Sequence, residues 1–267
     1  MFLAQLSAGF PTAITYPLVG LLAGLAIGLT GMGGGVLLTP IMVLFLGVPP
    51  NVAVSNDLLI SLAVKPVGAF THGRAGTVRR DIVWRLAVGS VPAAFLGAVL
   101  VNTLFTGKAE QLKYLIGGAL LLAAAMMIVR LVTQSSAGDR RDDAHQPELR
   151  PIPTIAIGVV GGLLVGMTSV GSGSLMLVLM TMLYPTLTGK TLVGTDLAQA
   201  IPLVASAVAG HLLFGDIRLS IVLPVLIGAY PGVWLGSRWS VRMPDRALRP
   251  MLLLLVGASG LRLAGVV

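Results

Sequence analysis

TAITYPLVGLLAGLAIGLTGMGGG, residues 12–35, decides the fold. No side chain in it is charged, and its apolar part has the roughly 20-residue length with which an α-helix crosses about 30 Å of hydrocarbon. It closes on a glycine cluster, Thr30-Gly31-Met32-Gly33-Gly34-Gly35, that lets the chain turn inside the membrane. Residues 153–174, PTIAIGVVGGLLVGMTSVGSGS, follow the same plan and close on Thr168-Ser169-Val170-Gly171-Ser172-Gly173-Ser174. Across all 267 residues, 55% are hydrophobic and 10% charged, with a mean hydropathy of +0.93. That is too little charge to cover a water-facing surface. An open strand cannot satisfy its backbone in lipid, and a barrel would alternate in ten-residue segments where this chain has unbroken apolar runs. The fold class is therefore all-α, a polytopic helical membrane protein with broken or re-entrant helices. No basic start, short apolar core and small-residue cleavage site opens the sequence, so the segments are expected to be permanent. With no cysteine there are no disulfides, thiolate metal sites or cysteine nucleophiles, and neither a cofactor nor a metal is expected.

Ten apolar segments follow one another, near 12–30, 35–47, 53–71, 84–105, 112–132, 153–168, 173–184, 193–213, 219–237 and 250–266. The polar stretch from Gln134 to Pro151 divides them into a first membrane repeat (1–133), a charged linker (134–151) and a second membrane repeat (152–267). The division rests on a register. At a shift of 138, Gly24, Leu25, Gly28, Thr30, Gly33 and Gly35 match Gly162, Leu163, Gly166, Thr168, Gly171 and Gly173. At 139, Asp57, Leu58, His72, Gly76, Arg79, Pro92 and Gly118 match Asp196, Leu197, His211, Gly215, Arg218, Pro231 and Gly257. Membrane composition alone produces glycine coincidences, but not paired Asp, His and Arg at one shift.

Lysine and arginine near helix ends stay cytoplasmic. The loops after segments three, five, seven and nine carry the arginine clusters around Arg79, Arg140 and Arg242, whereas the opposite side has only Lys108, Lys113, Arg218 and Arg262. The linker is thus expected in the cytoplasm and both termini outside. The bias inverts between halves, so the repeats are expected antiparallel, the plan of many secondary transporters. Topogenesis also explains the net charge of +8 better than nucleic-acid binding does.

The chemistry is expected where the helices break. A helix restarting after a break turns unpaired N–H groups and a positive dipole end toward its surroundings, which suits an anion. The candidate binding residues there are Thr30, Gly33, Gly34 and Gly35 with Thr168, Ser169, Gly171, Ser172, Gly173 and Ser174. Close helix packing is the plainer account of such glycines. Lys65 is the sharpest anomaly: a lysine deep in an apolar segment is costly unless it meets water, a carboxylate or a bound anion. Its register partner is Val204, so the halves are not chemically equivalent. Asn56, Asp57, Asp196 and Gln199 are candidates for coupling, the carboxylates standing where the third segment of each half begins and helix capping would be the bland role. His72 and His211 close those segments and are candidate gates.

The duplicated break, Asn56-Asp57-Leu58-Leu59, Lys65-Pro66-Val67-Gly68-Ala69-Phe70-Thr71-His72-Gly73-Arg74 and Gly89-Ser90-Val91-Pro92 together resemble the TauE/SafE family of sulfite and organosulfonate exporters, over nearly the whole chain. The resemblance implies a secondary transporter of the bacterial plasma (inner) membrane, moving sulfite or a similar sulfur-containing anion and coupled to a proton or other ion. Two other classes remain at this point. An anion channel uses the same materials, and Ser172 with His211 imitates the serine and histidine of a rhomboid-like intramembrane protease.

Overall fold

The computed structural model describes residues 12–30, 34–74, 76–136, 148–240 and 245–266. Among them every regular element is helical: α1 (Thr12–Thr30), a single 3-10 turn (Gly34–Val36), α2 (Leu38–Leu44), α3 (Pro50–Arg74), α4 (Arg80–Leu104), α5 (Ala109–Ser136), α6 (Pro151–Thr168), α7 (Leu175–Leu183), α8 (Gly189–Phe214), α9 (Leu219–Ser240) and α10 (Asp245–Leu263). Each expected segment is a helix, and most of the expected linker lies outside the described residues. Among the described residues, five helices, over Arg80–Leu104, Ala109–Val129, Pro151–Thr168, Gly189–Phe214 and Leu219–Gly236, are long and apolar enough to cross a membrane. By contrast α2 and α7 have seven and nine residues. At 1.5 Å per residue they reach only about 10–14 Å and cannot span alone. Each instead follows a longer helix in the chain, α2 after α1 and the 3-10 turn, and α7 after α6.

Two helix starts correct the sequence reading. α3 begins at Pro50, whose missing N–H and fixed φ suit the first helical position, and α8 begins after Thr188, whose hydroxyl accepts from the Thr191 N–H at 3.3 Å. Asp57 and Asp196 therefore sit two turns inside their helices, and neither caps one. Reading apolarity alone placed those starts too late, because Asn51 and Lys190 made the first turns look like loop.

Small residues set the packing. α1 lies along α9 and α4 along α6, with backbones so close that a Cβ on Gly24 would fall on the Ala229 carbonyl and one on Gly162 on the Ser90 carbonyl. Gly20, Gly24 and Gly28 face Gly228, Gly232 and Gly236 across the first pair, the four-residue spacing that lets helices approach in lipid. α3 crosses α8 at the centre, α5 lies on α10, and α4 also packs on α8 as α9 does on α3. Exchanging each helix for its register counterpart returns the same pairs. Leu22, Val88, Leu96, Ile128, Val160, Leu223, Ile227 and Leu254 are exposed around the outside, while the α3–α8 centre is rich in buried hydroxyls, amides and charges. An apolar rim around a polar interior is the arrangement a lipid solvent favours.

Candidate functional site

The second break takes its shape from three residues with positive φ. Ser169 (φ 60°) ends α6, and Gly171 (φ 121°) and Gly173 (φ 95°) flank Ser172. Glycine adopts such angles without a Cβ penalty, which is why Gly-Ser-Gly stands here. The fold thereby buries Ser172 at the α7 side of the break with 4% exposure. The first break closes on the second: a Cβ on Gly35 would collide with the Ser169 carbonyl and lie 2.9 Å from the Ser169 hydroxyl. The two candidate regions are therefore one region.

Lys65 of α3 reaches into it. Its Nζ donates to Ser172 Oγ at 2.6 Å, and the lysine is 6% exposed. One turn and two turns before it on α3, at the i, i+4 spacing that puts side chains on one face, come Ser61 and Asp57. The fully buried Asp57 carboxylate accepts from Thr39 Oγ1 of α2 at 2.5 Å, from Ser61 Oγ at 3.4 Å, and from the Ser169 hydroxyl. From α8, the buried Asp196 lies, like Asp57, within electrostatic reach of Lys65. Gln199 shares its helix face; its Oε1 accepts from Ser90 Oγ of α4 at 3.2 Å. Among the described residues, Gln199 Nε2 and Ser174 Oγ are buried donors with no hydrogen-bond partner. A buried cation at the second break, with the unsatisfied Ser174 hydroxyl two residues from Ser172, can bind an anion, since an unpaired buried donor is costly until something accepts from it. No three His, Asp or Glu side chains among the described residues are placed to hold a metal ion.

Other sequence candidates do different work. Thr168 spends its hydroxyl on its own helix end, donating to the Leu164 carbonyl at 2.7 Å and accepting from the Val170 N–H at 3.2 Å. Asn56 pins the α8–α9 loop: its Nδ2 donates to the Asp216 carbonyl at 3.2 Å and its Oδ1 accepts from the Arg218 N–H at 2.7 Å. Beside it, the Arg218 guanidinium hydrogen-bonds Asp216 at 2.6 Å and holds that carboxyl below the usual carboxylate range. At the matched position Thr195 Oγ1 accepts from the Arg79 N–H at 3.1 Å. His211, fully buried, donates from Nε2 to the Gly166 carbonyl at 2.9 Å, which leaves Nδ1 to accept from Asn102 Nδ2 at 3.1 Å, with Ser55 Oγ at 2.8 Å. It ties α3, α4, α6 and α8 together. Gly33 lies outside the described residues, as do the side chains of Thr30 and His72; Gly34 opens the 3-10 turn.

The serine–histidine pair of a protease does not form, because Ser172 is bonded to Lys65 and both ring nitrogens of His211 are occupied elsewhere. Thr39, Ser61 and Ser90 are not among the site residues the sequence singles out, although Ser90 stands in the Gly89-Ser90-Val91-Pro92 motif. Ser61 was within reach of a sequence reading, standing midway between Asp57 and Lys65 on one face, whereas Thr39 and Ser90 enter only through the tertiary fold.

The family model described as "Sulfite exporter TauE/SafE" matches residues 16–263. Probable membrane transporter protein YjnA of Bacillus subtilis is 36% identical over 255 residues, covering 94% of this chain and 99% of that protein. Probable membrane transporter protein YdhB of the same organism is 27% identical over 92% of this chain and 98% of its own length. Probable membrane transporter protein MJ0441 of Methanocaldococcus jannaschii is 24% identical over 91% and 92%. No solved structure matches the chain.

Proposed function

The chain belongs to the TauE/SafE family of membrane transporters, and from that premise we propose that it is a secondary transporter moving sulfite or a small organosulfonate across the plasma membrane by alternating access. The observation that carries the reading is the buried Lys65 ammonium on Ser172, at the place where the two breaks touch. The anion binds there, with Lys65 as countercharge and Ser172, Ser174 and Gln199 as donors. The halves are antiparallel repeats that rock about this point, a reading supported by the way the helix pairs exchange under the register. The linker faces the cytoplasm and both termini lie outside. Orientation rests on the arginine bias; Trp84, Trp234 and Trp239, exposed on that same side, suit a membrane–water boundary there, and Arg238 stacks over Trp234 at 5.2 Å.

The test is flux into proteoliposomes of sulfite, sulfate, thiosulfate, sulfoacetate and taurine. Wild type carries at least one of them and shows counterflow, the signature that separates a carrier from a channel. Lys65→Ala inserts and folds but does not transport. Undiminished transport by that variant overturns the site, and no transport of any of the five overturns the substrate class.

A further inference from the structure

Asp57 is a buried acid with no cation in contact. Its carboxylate accepts from Thr39 Oγ1 of α2 at 2.5 Å on Oδ2 and from Ser61 Oγ of its own helix at 3.4 Å on Oδ1, and all three side chains are buried. Among the described residues no lysine or arginine pairs with it: the ion pairs join Arg79 to Asp81, Lys113 to Glu110 and Arg218 to Asp216. Lys65 stands further along α3, about 12 Å away at 1.5 Å per residue, with its ammonium on Ser172. Neutral hydroxyls do not offset a carboxylate taken out of water, and buried charges are found paired or holding a metal ion.

What surrounds this carboxylate is oxygen. A hydroxyl has one hydrogen and two lone pairs, so Thr39 and Ser61 can each donate to Asp57 and still turn a lone pair toward a cation held between them. An all-oxygen set with a single charge suits a hard monovalent ion. Calcium draws on several carboxylates and carbonyls, and among the described residues no three acidic or histidine side chains gather. The hydroxyls come from two elements and lie within 3.4 Å of the carboxylate, a compact set that suits sodium better than the larger potassium. We propose that Asp57, Thr39 and Ser61 bind Na+, and that, resting on the anion-binding reading above, Na+ and the anion load together. Thr39 stands four residues after Gly35, which packs on Ser169 beside the second break, and Ser61 stands four before Lys65. An ion held between Thr39 and α3 therefore fixes α2, and with it the first break, against the helix that carries the lysine. A cation there and an anion at Lys65 also attract each other where screening is weak, and each then tightens the other by the same factor.

The first measurement is the Tm of the full chain in detergent, in NaCl, KCl or choline chloride at constant ionic strength, with no anion of the flux panel present. Wild type should gain stability with Na+ in a saturable way, as a ligand bound by the folded state alone requires, and K+ and choline should not reproduce the gain. Thr39→Val and Ser61→Ala should each raise the half-saturating Na+ concentration about tenfold, as loss of one contact to a charged group implies. Asp57→Asn should lose the response and be at least as stable in choline as wild type, because the uncompensated charge is gone, a gain that a merely structural carboxylate would not give. The second measurement is equilibrium binding of the tightest-binding organosulfonate of the panel. Its Kd should fall at least about threefold from choline to Na+ in wild type and stay unchanged in Asp57→Asn. A wild-type Tm indifferent to Na+, a rise that K+ matches, or a folded Asp57→Asn variant that still responds overturns the sodium site and leaves anion binding standing. A Na+-dependent Tm with an unchanged Kd overturns the joint loading. Absence of organosulfonate binding in every salt removes the anion-site reading and the joint loading with it, and the Tm response alone then decides the sodium site.

Discussion

Lys65→Met and Ser172→Ala, made singly and together, test whether the lysine acts through the second break. Nζ and Oγ are 2.6 Å apart and both residues are buried, so neither can turn to water when its partner is lost. A hydrogen bond to a charged group contributes about 1.5–3 kcal/mol, and about 1.4 kcal/mol corresponds to tenfold in affinity. Ser172→Ala should therefore weaken anion binding roughly tenfold, by removing one donor and loosening the lysine. Lys65→Met also removes the charge that faces the substrate and should cost at least about 100-fold. Methionine fills nearly the same volume, so the core stays packed, although the two carboxylates lose their countercharge and Tm falls. Each single change already breaks the contact, so the double variant should lose less than the product of the two, with a coupling of about 1–2 kcal/mol. The assay is equilibrium binding of the tightest panel anion to detergent-solubilised protein, with Tm recorded alongside. A folded Lys65→Met variant that binds within about threefold of wild type, roughly 0.7 kcal/mol, refutes the role of the lysine. Strictly additive losses refute the coupling to Ser172.

Gly35→Ala forces a Cβ into the Ser169 backbone, which has no side-chain freedom with which to give way; it should lower stability by about 1–3 kcal/mol and depress transport beyond what the fall in Tm explains. Gly118→Ala is its control, because nothing lies within 4 Å of the new methyl on α5, and the helix should gain about 0.5–1 kcal/mol with flux unchanged. Asn56→Ala strips the Asp216 carbonyl and the Arg218 N–H of their partner at a cost of about 1–3 kcal/mol, read as a lower Tm and faster proteolysis at Gly215–Arg218. Unchanged cleavage there would show that the loop is held by something other than Asn56.

Much of this was legible because membranes punish exceptions. A glycine cluster or a lysine inside an apolar run stands out against its neighbours, and both breaks and Lys65 were found that way. The register was informative for the same reason: Asn56 and Thr195 stand at matched positions, and each receives the backbone N–H of a matched arginine, Arg218 or Arg79. Hydroxyls hide better. Thr39 and Ser90 cost little in an apolar helix, where they can bond their own backbone, so nothing in their spacing announces that one serves Asp57 and the other Gln199. The helix starts were misplaced for a related reason, since Pro50 and Thr188 are start signals that apolar scanning ignores. His211 was recognised as unusual, but its three partners come from α3, α4 and α6, and only the fold brings those together.

On the proposed reading of two repeats, the chemistry sits in one copy only. The register partner of Lys65 is the buried Val204, and the partner of Ser172 is Gly34. A lysine at 204 would thus find glycine where Lys65 finds a hydroxyl, so a second copy of the contact cannot form and one chain offers one such site. The existing contact also joins opposite halves, Lys65 from the first and Ser172 from the second. Any rocking of one half against the other must stretch that 2.6 Å hydrogen bond unless something bridges it. An oxyanion is suited to do so, accepting from Nζ with one oxygen and from Oγ–H with another. On the proposed alternating-access reading, the same pair would hold the halves together when no anion is bound and let them part when one inserts, so that binding and movement would share one point.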